Sequence, residues 1–146
     1  MKVPDSGQMT DTSSGVAVVV WRRRAELEVL LLHRSLFGED FSGDWAWTTP
    51  GGARERDEPP AVTAARELSE ETGLTLACRP GRSAVAEAQR EIEVDVFVAE
   101  ATADADVRLS DEHDRYEWVR PDDLDRCLPS WVGQMYRDVL EIVSQA

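Results

Sequence analysis

Glu67, Glu70 and Glu71 stand at i, i+3 and i+4 in a segment rich in helix formers. That spacing stacks side chains on one face of a helix. Carboxylates crowded in this way repel one another unless something positive joins them. A hard divalent cation with oxygen ligands is the natural partner, which points to chemistry on phosphates. Arg66 precedes the first glutamate. Its planar guanidinium could hold a carboxylate of the cluster through a charge-assisted fork. Taken alone, the triplet reads equally well as a solvated acidic face.

The surrounding residues specify the element that must carry the acids. Ala61 to Thr72 contains no Gly or Pro and predicts a helix. Pro59-Pro60 fits its start, where a missing N–H costs little, and Asp57 is placed to cap the first turn. Glu58 enters where the helix dipole favours negative charge. Gly73 fits a left-handed residue that ends the helix. At 100° per residue, Thr63, Glu67, Glu70 and Glu71 share one side. Ala61, Ala65 and Leu68 share the other, so the expectation is a buried alanine and leucine stripe with the acids presented opposite. Upstream, Pro50-Gly51-Gly52 allows a tight turn and close approach of backbone to a ligand.

The segment from Gly52 through Glu58, Arg66-Glu67-Leu68 and Glu70-Glu71 to Gly73-Leu74 resembles the Nudix box at every defined position. The chain is thereby similar to Nudix (MutT-like) hydrolases, which cleave a pyrophosphate bond in a nucleoside diphosphate linked to another moiety. They do so by water attack, with Mg²⁺ or Mn²⁺ as cofactor. The resemblance implies that Glu70 and Glu71 are the principal metal ligands. Glu67 becomes a further ligand or the base that activates water, and Arg66 orients the cluster. Glu58 becomes a secondary member, and backbone oxygen near Gly51 or Gly52 a further ligand. The stretch Leu109-Ser-x-Glu112-His-x-x-Tyr116-x-Trp118 is similar to that of asymmetric diadenosine tetraphosphate hydrolases. It makes Glu112 the candidate outer carboxylate, as ligand or base. Those enzymes usually carry Pro-Lys-Gly before the box; here Pro50 is followed by Gly51-Gly52, closer to the general pattern. A complete box favours an enzyme over a Nudix-fold domain that senses a nucleotide without cleaving it, since such domains often lose box glutamates.

The remaining chain reads as a scaffold. Gly15 to Trp21 and Leu27 to His33 are apolar and β-branched, a hairpin about a polar turn at Arg22 to Glu26. His33 reads as a strand-end residue, and Ser35 to Asp44 as a loop long enough to shape a pocket rim. Trp45 and Trp47 alternate, which places both on one strand face, as base-stacking residues or as packing. Two strands are expected at Ser83–Ala88 and Glu91–Glu100 around Gln89-Arg90, and a last strand containing Tyr116 and Trp118 as core residues. Pro121 to Arg126 reads as a short helix or turn. An amphipathic helix from Ser130, with Val132, Met135, Tyr136, Val139 and Leu140 at helical spacing, is expected to pack rather than to act.

This order predicts an α+β fold, an αβα sandwich with a mixed sheet between helices. Residues 1–14 read as a flexible polar leader and 15–146 as a single domain. The net charge of −13 opposes binding to nucleic acid polymers, whose affinity rests on basic residues, but not to a small nucleotide whose phosphates share a bound cation. No apolar run approaches the ~20 residues of a membrane span, and Cys78 and Cys127 have no metal-ligand spacing. A reduced, cytoplasmic protein is the simple expectation, with a homodimer among the open oligomeric states.

Overall fold

In a computed structural model, residues 13–36, 38–43, 45–86 and 92–144 of the chain are described. The elements are β1 (Ser13–Arg23), β2 (Leu27–Arg34), β3 (Trp47–Thr48), β4 (Gly51–Ala53), α1 (Pro60–Thr72), β5 (Arg79–Ala86), β6 (Ile92–Glu100), β7 (His113–Val119), a 3-10 helix (Pro121–Arg126) and α2 (Ser130–Ser144). They form one mixed seven-stranded sheet in the order β3-β2-β1-β6-β5, with β4 paired to β1 and β7 to β2. The hairpin pairs Trp21 with Val29 and Arg23 with Leu27. The β1–β6 pairing is parallel, setting Val16 opposite Asp95 and Trp21 opposite Glu100.

The runs Val18-Val19-Val20 and Val29-Leu30-Leu31-Leu32 are apolar at every position because both sheet faces are covered. On one face Val18, Val20, Leu30, Leu32 and Phe97 pack against Ala64 and Leu68 of α1. On the other Val19, Leu31, Val96 and Val98 pack against Leu124 of the 3-10 helix and Val132, Tyr136 and Val139 of α2. Each fully buried aliphatic side chain here contributes roughly 1.5–3 kcal/mol relative to exposure. The result is the αβα sandwich, and its layers fix α1 against the strand that carries the glycine turn.

Several local expectations are corrected. β1 begins at Ser13, and β5 begins at Arg79 rather than Ser83; the Gln89-Arg90 turn lies outside the described residues, as do residues 1–12 of the expected leader. Arg22 is not in a solvated turn. It is buried in β1, with Nε donating to Glu28 Oε1 at 2.7 Å, Nη1 donating to the Ala103 carbonyl, and the guanidinium 4.0 Å above the Trp118 ring. Trp118 is half-buried between this guanidinium and the α1-side core, whereas Tyr116 is 41% exposed. Trp47 alone lies in β3; Trp45 is in the preceding turn and exposed, so the two do not share a strand face.

His33 is fully enclosed at the end of β2. Its Nε2 donates to the Phe41 carbonyl and its Nδ1 meets Asp114 Oδ1, each at 2.8 Å. The ring also meets Trp47 edge-on at 5.1 Å between centroids. His33 thus ties the rim loop to β7, and Trp47 is part of that packing.

Candidate active site

Helix α1 starts and stops as its sequence requires, except that no side chain caps its start. Pro59 occupies the N-cap with no side-chain cap, and Pro60 follows in the first turn. Asp57 has φ 62° and does not cap. The Glu58 carboxylate braces the turn before the helix: its Oε1 accepts from the Glu55 N–H at 3.0 Å and from Thr63 Oγ1 at 2.8 Å, while the Val62 and Thr63 N–H groups donate to the Pro59 carbonyl. At the other end Gly73 has φ 75° and donates its N–H to the Ser69 carbonyl, the left-handed stop that a residue without Cβ adopts freely.

Arg66 is the centre of the acidic group. Its Nε and Nη2 grip both Glu58 oxygens at 2.8 and 2.9 Å. Nη1 reaches Glu67 Oε2 and Glu70 Oε1, each at 3.3 Å, and Nη2 also donates to the Ala53 carbonyl. The fork holds the Glu58 carboxyl down at about 2, with the backbone N–H of Glu55 adding to the effect. One guanidinium therefore joins the start of α1, its middle and the glycine turn.

The buried face of α1 consists of Thr63, Ala64, Leu68, Glu71 and Thr72, while Ala61 and Ala65 are exposed. The expected division between apolar and acidic sides is wrong in an informative way: Glu71 belongs to the buried stripe. Its Oε1 accepts the Gly51 N–H at 3.1 Å. Glu67 is also largely covered, with 14% of its side chain exposed, against 58% for Glu70. Both carboxyls lie against the glycine turn, Glu71 on the Gly51 N–H and Glu67 beside Gly52, and each acts on the other's ionisation. Burial raises the proton affinity of both, and that of Glu71 reaches about 8. Glu112, across the cavity, raises both further.

The glycines leave room for this arrangement. A Cβ on Gly52 would lie 2.5 Å from Glu67 Oε2, and one on Gly51 would lie 2.3 Å from the Val16 carbonyl oxygen. The first glycine clears space for a carboxylate, and the second lets β4 close on β1.

A cavity of about 250 Å³ opens between the glycine turn and the Glu112 loop, walled by Gly51, Gly52, Glu71 and Glu112. Its inner wall includes Arg34, Thr49 and Tyr136. A second cavity of about 410 Å³ adjoins it, lined by Ser35, Leu36 and Asp111, and shares Arg34, Glu112 and His113 with the first. Ser35 secures the turn bearing Glu112, its N–H donating to the Glu112 carbonyl at 3.0 Å and its Oγ to the Asp111 carbonyl at 2.7 Å. Trp45 and Trp47 line neither cavity.

Glu67, Glu71, Gly52 and Glu112 are thus brought to one place, with Glu70 at its solvent edge. Among the described residues, no three His, Cys, Asp or Glu side chains are already gathered as a cation cage. Arg66 draws Glu70 aside, and Gly51 holds one Glu71 oxygen. The donors are nonetheless all oxygen, and Glu67, Glu71 and Glu112 each disfavour a second negative charge on their neighbours. That donor set fits a hard divalent ion.

Sequence reasoning missed four wall residues. Arg34 ends a strand whose middle, Val29 to Leu32, is apolar, a position where a cation is a signal in itself; burial lowers its pKa, with Tyr136 and Glu71 opposing that shift. Thr49 immediately precedes Pro50 and the glycine turn, so its place at the turn was a cue. His113 was visible beside Glu112, and its Nδ1 is the one buried side-chain nitrogen or oxygen without a partner among the described residues. Tyr136 was hidden inside the helical period of α2, which therefore contributes to the cavity as well as packing.

The NUDIX domain family model matches residues 12–139. The chain belongs to the Nudix family. Curated relatives include a Myxococcus xanthus octanoyltransferase, 41% identical over 107 residues, which are 69% of this chain and 29% of that protein. A Streptomyces rubellomurinus CMP-5'-(N-acetyl-N-hydroxy-3-aminopropyl)phosphonate hydrolase is 42% identical over 59 residues, 40% of this chain and 27% of that protein. The chain thus spans less than a third of the length of either relative. Among solved structures, a C. elegans Ap4A hydrolase in a binary complex superimposes with a TM-score of 0.74 at 24% identity, covering 90% of this chain and 99% of that one. This likeness shows the shared Nudix fold. No helix among the described residues is long and apolar enough to cross a membrane.

Proposed function

We propose that the protein is a divalent-cation-dependent hydrolase that cleaves a pyrophosphate bond in a nucleoside diphosphate linked to another moiety, by water attack at phosphorus. The observation that carries this reading is the buried Glu67–Glu71 pair beside Gly51-Gly52, gripped from one side by Arg66 and faced by Glu112 across an open cavity. A solvated acidic face has no reason to bury two carboxyls against one glycine turn. The family membership and the name of the Streptomyces relative, a hydrolase of a CMP derivative, support the same class.

In this reading Glu70 and Glu71 would hold Mg²⁺ or Mn²⁺, and Glu67 and a backbone oxygen at Gly52 would complete the protein ligands. The bound ion would acidify water and screen charge on the phosphates. Glu67 or Glu112 accepts the proton of the attacking water. Arg66 keeps Glu67 and Glu70 in register through its hold on Glu58, and Gly52 leaves Glu67 the space it occupies. Trp45, exposed at the rim, is placed to meet a base only from outside the two cavities; Trp47 supports His33.

A panel of sugar nucleotides, dinucleoside polyphosphates and nucleoside triphosphates, incubated with Mg²⁺ or Mn²⁺ and read by product mass, tests the reading. Release of a nucleotide or phosphate from at least one compound, dependent on the cation, is expected. No cation-dependent release from any compound would remove the proposal.

A further inference from the structure

Helix α2 supplies one polar group to the cavity that the proposed hydrolysis does not use. The Tyr136 hydroxyl lies 3.1 Å from Thr49 Oγ1, and either can donate to the other. Both side chains are more than nine-tenths buried, and both line the inner wall of the cavity that Glu71 and Glu112 border. A pair of hydroxyls owns two protons, and one bond between them occupies one. The second proton is directed elsewhere, from a pair that borders the cavity. Arg34 lines the same cavity, its charge close enough to act on Tyr136 and on Glu71.

The cavity thus combines the acids and the glycine turn with hydroxyl and guanidinium donors. Those donors fit a group that accepts hydrogen bonds. The structural alternative, that the Thr49–Tyr136 bond merely fastens α2 to the sheet, accounts for the bond but not for its location in the cavity that Glu71 and Glu112 border.

We propose that the Thr49–Tyr136 hydroxyl pair donates its free proton to an acceptor oxygen of the substrate, making Tyr136 a specificity-determining residue. This rests on the proposed substrate class of a nucleoside diphosphate derivative. The oxygen belongs to a phosphate or to a carbonyl of the base, and one experiment separates the two. A site built to donate a hydrogen bond discriminates strongly against a ligand that leaves it unpaired, and loses affinity when the donor is removed.

The variants are Tyr136→Phe, Thr49→Val and Thr49→Ser. The readouts are binding of pyrophosphate and of a set of nucleoside monophosphates with Mg²⁺ by calorimetry, together with KM and kcat for any compound the wild type hydrolyses. Tyr136→Phe and Thr49→Val should each weaken binding or raise KM by about 10-fold, with kcat changed less than about 3-fold. Thr49→Ser should restore the wild-type value. Weakened pyrophosphate binding assigns the oxygen to phosphate; loss confined to oxo-bearing bases assigns it to the base. Should Tyr136→Phe fail to fold, Thr49→Val and its serine rescue carry the same comparison. Unchanged affinity and KM in both donor-removing variants would overturn the inference, as would an absence of binding by the wild type to every probe. Wild-type binding sensitive to Thr49→Val, without turnover of any compound, would sink the hydrolase proposal and leave this one standing.

Discussion

Replacing Glu71 by Gln should make the cation-free protein more stable while abolishing its activity. Glu71 is 4% exposed, and burial moves its carboxyl from an ordinary 4.5 to about 8. A carboxyl whose folded pKa is raised stabilises the fold at pH values below its unfolded pKa, and that contribution disappears as pH climbs through the folded value. Each pH unit between these limits costs the folded state about 1.36 kcal/mol. At pH 7 the limit is about 3.4 kcal/mol, from about 2.5 pH units at that rate. Cavity water screens the charge, so about 1–2 kcal/mol is the expected cost.

Gln is nearly isosteric and its Oε1 can keep the bond from the Gly51 N–H. Removing the ionisable group should therefore raise Tm by about 2–8 °C at pH 7 in chelator, taking about 2–4 °C per kcal/mol for a chain of this size. At pH 5 the advantage should shrink to under about 2 °C, because only about half a pH unit of cost has accumulated. Thermal unfolding of both proteins from pH 5 to 8 measures this directly. Mg²⁺ should raise the wild-type Tm far more than that of the variant. A Gln variant that is less stable than wild type at pH 7, or whose advantage does not grow with pH, would refute the reasoning about Glu71.

Other substitutions separate the roles of neighbouring residues. Gly52→Ala puts a methyl 2.5 Å from Glu67 Oε2, a movable side chain; activity should fall about 10–100-fold while Tm shifts little, checked by kinetics and melting together. Gly51→Ala instead strikes the Val16 carbonyl oxygen at 2.3 Å, and backbone strain should cost about 1–3 kcal/mol in denaturant unfolding. Arg66→Lys keeps the charge but cannot grip both Glu58 oxygens; cation affinity should drop about 10–100-fold by titration calorimetry, and an unchanged affinity would separate Arg66 from the site. Leu68→Ala, at a fully enclosed position of α1, should cost about 2–5 kcal/mol of stability.

The layers of the fold were legible because apolar runs and helical spacing report burial directly. Val18 to Val20 and Leu30 to Leu32 read as strands from their apolar, partly β-branched runs, and Gly73 read as a helix stop. The box placed Arg66, Glu67 and Glu71 together for the same reason: fixed spacing on one helix determines which groups are neighbours. What spacing alone does not give is the direction of the sheet. The helical wheel paired Glu71 with Glu70, yet the sheet packs on the Thr63–Leu68–Glu71 side, so an acid enters the buried stripe. Tyr136 and Thr49 are separated by the whole middle of the chain, and their contact arises only when α2 folds across the sheet. The Trp45–Trp47 alternation misled because β3 is two residues long and Trp45 precedes it.

The most direct test of hydrolysis at this site is turnover in ¹⁸O-labelled water, with Mg²⁺ or with chelator, on the best compound from the substrate panel. The expected result is a single labelled oxygen on one phosphate-bearing product, formed by the wild type with Mg²⁺ and lost in chelator or in Glu70→Gln. Full turnover in chelator, or label appearing on no phosphate, would contradict cation-dependent water attack at phosphorus by the Glu67–Glu71 site.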